Sequence, residues 1–284
     1  MKIGIGLPTT VPAVGGTQLM DFARRADECG FSTLAVLDRF AYDSYDNIVA
    51  LAGAAAATER IRLATTVLLA PYRPSVAELA KQLASVDQLS GGRLVVGVAA
   101  GGRPDDFEAT GTEYRTRGSR LDAMLDRLRR IWAGEDDGPG PRPVRGEIPL
   151  WVGGHSEAAL RRAARFGRAW IAPGGSVAGF PGLVERASAV FAEEGRAGEP
   201  PQLVSLAFVA PGSERLAQGV PYIRKYYAHV GPKADFLAKS LISSEDQLRE
   251  LVAGYAAAGC DELILFPCTG DPEQVEELAK VAFG

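Results

Sequence analysis

Short apolar strands and amphipathic helices alternate about eight times along this chain, and few folds accommodate that rhythm. Strands are predicted at 2–6, 33–37, 61–69, 93–98, 150–152, 169–172, 203–210 and 262–266, each bounded by Gly, Pro or polar residues. Helices are predicted between them: 17–29, 46–57, 75–89 and 119–132, one starting at Ser156, and one ending near Glu194. Two or three pieces follow between Ser213 and Ala258, and a last helix begins at Asp271. Near-continuous apolar strands separated by helices imply parallel pairing with both sheet faces covered. Eight such units without a switch point favour a closed TIM (β/α)8 barrel of α/β class over an open doubly wound sheet. Insertions are expected after strands 4 and 7, where the connections run long, and 1–284 is expected to form a single domain.

With 46% apolar and 23% charged residues the chain can bury a large core, and a net charge of −4 argues against nucleic acid or an anionic membrane as partner. A small organic molecule fits better. Cys29, Cys260 and Cys268 are odd in number and lack CxxC or Cys/His spacing, so neither a disulfide framework nor a metal site is expected. Strand one follows Met1 directly, with no charged leader and no apolar run of about 18 residues later, so a cytoplasmic protein with no membrane span is expected.

The stretch 148–175, IPLWVGGHSEAALRRAARFGRAWIAPGG, carries the clearest chemistry. Gly153 and Gly154 let the chain turn tightly after a strand, and Ser156 with Glu157 starts a helix whose first N–H groups face outward. Such a turn can cradle phosphate, and it reads equally well as one more βα turn. Ala159, Leu160, Ala163, Ala164 and Phe166 are expected on the packed face of that helix, with Arg161, Arg162 and Arg165 largely opposite. Barrel sites lie at the C-terminal strand ends. The loops there hold Asp38, Arg39, Tyr42, Asp43, Tyr45, Asp46, Tyr72 and Arg73, whose abundance points to a ligand. In KYYAHVGPK, Tyr226, Tyr227 and His229 either line a substrate pocket or cover an apolar face, and Cys268, without a matched base, reads as a packed thiol.

The segments ATTVLLAPYRPSVAELAKQLASVDQLSGGRLVVGVAAGGRPDDFEATG and LWVGGHSEAALRRAARFG, in this order and spacing, resemble the bacterial luciferase-like flavin monooxygenases and the related deazaflavin-dependent oxidoreductases. The likeness extends over nearly the whole chain. The resemblance implies a strand-three bulge with a non-proline cis peptide at Thr66–Val67 beneath the middle flavin ring, and ring contacts from Val98, Ala99, Ala100 and Gly101. It places the phosphate-bearing tail at Gly153, Gly154, His155, Ser156, Pro173 and Gly174, in agreement with the cradle read from the residues. A homodimer through helices 46–57 and 75–89 is also implied. The cofactor implied is FMN, reduced by a separate flavin reductase, or coenzyme F420.

Departures from the family pattern bear on mechanism. Many relatives carry a histidine just after strand two, whereas this chain has Asp38 and Arg39, the candidates for catalytic work. Arg39 stays cationic and so cannot act as a base near neutrality, but it can stabilise an anionic reduced flavin or a carboxylate substrate. Asp38 and Arg39 read equally well as a buried structural pair. The cysteine and arginine that luciferases place in the strand-four loop fall on Ala99 and Ala100, and the glutamate of the sugar-phosphate dehydrogenases falls on Gly102. Neither specialised mechanism carries over. An FMNH2-dependent monooxygenase acting on a small organic substrate is the leading expectation, with F420-dependent hydride transfer second. The missing histidine or glutamate base leaves a non-catalytic flavin-binding barrel open as well. An aldolase or isomerase is disfavoured, because no lysine or carboxylate pair stands at the strand ends.

Overall fold

A computed structural model describes residues 1–136, 138–172, 174, 176–199 and 201–284. Eight parallel strands close into a barrel in chain order: β1 Lys2–Gly6, β2 Thr33–Val36, β3 Arg62–Leu68, β4 Leu94–Val98, β5 Leu150–Gly153, β6 Ala169–Ile171, β7 Gln202–Val209 and β8 Glu262–Pro267. The ring closes through β1 and β8, from Lys2 opposite Glu262 to Ile5 opposite Leu265. Every predicted strand ends within one residue of the observed one. Strands of this kind are legible because both of their faces are buried, which demands an unbroken apolar run.

Helices cover the outside: α1 Gly16–Glu28, α2 Asn47–Ala57, α3 Val76–Leu89, α4 Pro104–Ala109, α5 Arg117–Ala133, α6 Glu157–Phe166, α7 Phe180–Glu193, α8 Ser213–Tyr226, α9 Lys233–Lys239, α10 Glu245–Ala257 and α11 Gln274–Phe283. The helices start where short polar side chains cap them. Asp46 accepts from the N–H groups of Ile48 and Val49, and Ser75, Ser156 and Ser244 accept likewise at α3, α6 and α10. Two apolar layers result. Ala35, Ala64, Val95, Trp151, Ile171, Val204, Ile264 and Phe266 fill the barrel, while Phe22, Leu51, Leu83, Leu128, Leu160, Phe191 and Leu278 sit between strands and helices. Each large side chain so buried stabilises the fold by about 1.5–3 kcal/mol.

The insertions fall where expected, after β4 and after β7. The first contains α4, which is not among the predicted helices. Six residues are too few to show a period, and α4 forms because Pro104 and two acidic residues suit its first turn while Phe107 packs on Leu69 and Tyr72. Arg162 is a second correction. It is not on an exposed face but buried, its Nε donating to Asp122 of α5 at 2.6 Å, because α6 lies against α5 along that flank. None of the described helices is long and apolar enough to cross a membrane.

Candidate active site

The exit of β3 is irregular. Its register with β4 runs to Thr65 opposite Val96 and resumes at Leu68 opposite Val98, so β3 holds one extra residue, and the Thr66–Val67 peptide is cis, as the resemblance implied. Asp38, at the end of β2, fastens this bulge from below. Its carboxylate accepts from the Leu69 N–H at 2.8 Å and the Tyr72 hydroxyl at 2.6 Å, and faces the Arg73 guanidinium at 3.5 Å. Burial pushes the Asp38 carboxyl above its ordinary range, while Arg73, Tyr72 and the Leu69 N–H pull the other way.

Asp38 and Arg39 do not form the pair the sequence allowed. Side chains of consecutive residues diverge on extended chain, and Arg39 turns instead to α4. Its Nε donates to Asp106 Oδ2 at 2.8 Å and its Nη2 to Asp105 Oδ2 at 2.6 Å. Asp106 Oδ1 also accepts from the N–H groups of Phe40 and Ala41. The first insertion is thereby clamped to the loop after β2, at the rim of the barrel.

At β5 the predicted glycine turn and the helix that follows it are present. A Cβ on Gly153 would stand 2.8 Å from Val67 Cγ1, so only glycine lets the bulge and the β5 turn approach this closely. Gly154 has φ of 128°, and its carbonyl accepts from the Trp170 indole at 2.8 Å. Ser156 caps α6 through the Ala159 N–H, which leaves the first N–H groups of that helix without intrahelical acceptors. Glu157 is drawn to Arg161, the neighbour four residues along the helix. Gly153 is buried, Gly154 half-buried, and His155, Ser156 and Gly174 are exposed; Gly174 lies over Leu206 of β7. Pro173 lies outside the described residues. Val98 is buried beside the bulge, with Ala99, Ala100 and Gly101 half-buried after it.

Away from the barrel base, strand residues are buried with few exceptions: Val67 on β3, and Leu206, Ala207 and Phe208 on β7. Val67, Leu206 and Phe208 belong to the interior face. Strands three and seven stand opposite each other in an eight-membered ring, so the exposed part of the interior face runs as a slot from Val67 to Phe208. Beyond Phe208 the second insertion adds an aromatic wall. Tyr226 meets Tyr42, Tyr222, Tyr227 and Phe208 with ring centroids 5.1–6.4 Å apart, and Phe208 meets Phe266 at 5.9 Å. The Tyr222 hydroxyl is bonded to Thr10 at 2.7 Å, and burial pushes the phenols of Tyr42, Tyr222, Tyr226 and Tyr227 upward, so all four stay protonated at neutral pH. Cys268 is packed beneath α8, its thiol pushed up by burial, as the sequence reading held.

Sequence reasoning missed Arg103, which follows Gly101 and Gly102 in the loop after β4. It is 9% exposed, its guanidinium lies 4.3 Å from the Tyr226 ring centroid, and its Nη1 donates to the Tyr226 carbonyl at 2.6 Å. Phe208 and the acidic pair Asp105 and Asp106 were also missed. Their sole signal was position: a lone basic residue closing the loop, and two acids opening a helix too short to recognise.

Comparison with known proteins agrees with this architecture. Residues 1–282 match the family described as luciferase-like monooxygenase. The chain is 31% identical over 214 residues to an uncharacterized protein of Mycobacterium tuberculosis, covering 63% of this chain and 73% of that one. It is 29% identical over 196 residues to the FMNH2-dependent dimethylsulfone monooxygenase of Pseudomonas putida, 62% of this chain and 53% of that protein. Over 195 residues it is 29% identical to the F420-dependent glucose-6-phosphate dehydrogenase of Kribbella flavida, 62% of this chain and 58% of that protein. Among solved structures, the monooxygenase RslO1 of Streptomyces bottropensis superposes with a TM-score of 0.74 at 23% identity, covering 100% of this chain and 97% of that one. A barrel closed by eight strands, a bulged β3 with a cis peptide and a match over residues 1–282 converge on one assignment: this chain belongs to the luciferase-like monooxygenase family.

Proposed function

We propose that the protein is an FMNH2-dependent monooxygenase acting on a small organic substrate at the barrel mouth. The observation that carries the reading is the partial exposure of Val67 and Phe208 at the mouth, beside the cis-peptide bulge of β3 and the β5 turn whose Gly153 approaches Val67. A flat ring system fits there, since Ala99, Ala100 and Gly153 present little more than backbone, and the outward N–H groups of α6 suit its phosphate. Held there, reduced FMN would supply two electrons toward O2, with one oxygen atom entering the substrate and the other leaving as water.

The chain's own residues position the reactants. Asp38, Tyr72 and Arg73 hold the bulge on which the ring would rest. Arg39 is assigned to clamping α4 through Asp105 and Asp106, which keeps water from one side of the mouth and leaves its charge balanced. Similarity to an F420-dependent dehydrogenase supports a second reading, hydride transfer with F420 in the same slot. Titration of the apo-protein with FMN, reduced FMN and F420, followed by cofactor fluorescence, tests both. Selective micromolar binding of either FMN form supports the monooxygenase, preference for F420 supports hydride transfer, and no binding removes the reading. A homodimer through α2 and α3, with a separate flavin reductase, completes the proposal; Val49 and Leu89 there are 68% and 63% exposed.

A further inference from the structure

Three arginines of the described chain are buried: Arg39, Arg103 and Arg162. Arg39 faces Asp105 and Asp106, and Arg162 faces Asp122. Arg103 faces no carboxylate within 4 Å among the described residues; its partners are the Tyr226 carbonyl and the rings of Tyr226 and Tyr227. A buried guanidinium without a counter-ion is costly, and a protein of net charge −4 has acidic residues to spare for it. Nearby, the buried hydroxyl oxygen of Tyr42 has no hydrogen-bond partner among the described residues, although its ring packs against Tyr226. The Arg103 charge acts on the hydroxyls of Tyr42, Tyr226 and Tyr227, which places all three within its field.

We propose that Arg103 anchors an acidic oxygen, carboxylate or phenolate, of a planar conjugated substrate stacked along the slot against Phe208 and Tyr227, with the Tyr42 hydroxyl as a second donor. The proposal rests on the reading of the slot as the site of cofactor and substrate, and it names the substrate class. Flat aromatic walls select a planar body, and the unpaired cation selects its charge. Arg103 reaches this place because the loop after β4 crosses to the insertion after β7 and bonds the Tyr226 carbonyl there.

The test uses 2-naphthoate and its neutral methyl ester as probes, titrated by calorimetry into wild-type, Arg103→Gln and Arg103→Met proteins, with FMN and F420 titrations on the same samples. Wild-type protein is expected to bind the acid at least about tenfold more tightly than the ester, the size of one charge-assisted contact. Both variants are expected to lose that preference, and Arg103→Met keeps the packing over Tyr226. Equal binding of acid and ester by wild-type protein overturns the proposal without any variant, as does a preference that survives in either variant, or naphthoate that fails to bind saturably. Loss of cofactor affinity in the variants assigns Arg103 to the cofactor and also overturns it. A wild-type protein that binds neither FMN nor F420, yet prefers naphthoate through Arg103, sinks the flavin reading and sustains the anion site.

Discussion

Asp38 and Tyr72 share a 2.6 Å hydrogen bond that ties the exit of β2 to the exit of β3, directly beside the Thr66–Val67 bulge. Both side chains are almost wholly buried, and Tyr72 also packs edge-on against Phe107 of the first insertion. One bond therefore links two barrel strands and the rim.

Removing the Tyr72 hydroxyl isolates that bond. Tyr72→Phe keeps the ring and leaves one lone pair of a buried carboxylate unsatisfied. It is expected to cost about 1.5–3 kcal/mol of stability, the worth of a hydrogen bond to a charged group. Denaturant unfolding measures it. FMN affinity should fall with it if the bulge supports the flavin, and unchanged affinity would detach Tyr72 from that role.

Gly153→Val tests the cradle. Its Cβ would approach Val67 Cγ1 to 2.8 Å, so the turn or the bulge must move. Flavin affinity is expected to drop by about tenfold or more, against a stability loss of about 1–3 kcal/mol. A fluorescence titration showing wild-type affinity would mean that the ligand does not use this turn.

His229 reports on the electrostatics of the mouth. Partial burial and then the cationic Arg103 and Arg39 hold its pKa below the ordinary value, against the opposing pull of Asp105 and Asp106. In Arg103→Gln it should rise toward its ordinary value; only two histidines are present, so its resonance is readily assigned. Proton NMR of the two imidazoles reads the shift. Because a lowered folded-state pKa means that the unfolded chain binds the proton better, this contribution to stability is present above about pH 6.5 and is lost as pH falls.

Asp27 gives a second pH signature. Desolvation disfavours its charge, yet bonds from the N–H groups of Glu59, Arg60 and Ile61 outweigh it, and its pKa is lowered. Its stabilisation is complete above the unfolded pKa near 3.9 and fades as pH drops through the lower folded value. Asp27→Asn should cost roughly 2–3 kcal/mol at neutral pH. The gap in melting temperature between the two proteins should narrow steadily toward pH 3; a constant gap would contradict a charge effect.

If α2 contributes to a dimer, Val49→Asp should give a monomer by sedimentation with an unchanged far-UV spectrum, since Val49 is 68% exposed in the single chain and the fold of each chain does not depend on it. A wild-type monomer at micromolar concentration would dispose of the dimer itself.

How much was legible beforehand follows from the range of the forces involved. Strand positions were readable because apolar runs between breakers are local, and the caps at Asp46, Ser75 and Ser156 act within three residues. The glycine turn at Gly153 and Gly154 was readable for the same reason. Helix α4 was not: it is too short for a period and is held by Phe107 against residues far away in sequence.

The order of strands, the closed barrel and the glycine turn before α6 were thus set by local sequence, since hydrophobic period, capping and turn chemistry are written in neighbouring residues. Charge partners were decided only by the fold. Arg39 bonds Asp106 from 67 residues away rather than pairing with its neighbour Asp38, and Arg103 reaches the Tyr226 carbonyl across 123 residues. Those choices depend on which side chains barrel closure brings together and strips of water, and desolvation is a property of the assembled mouth, not of any stretch of chain.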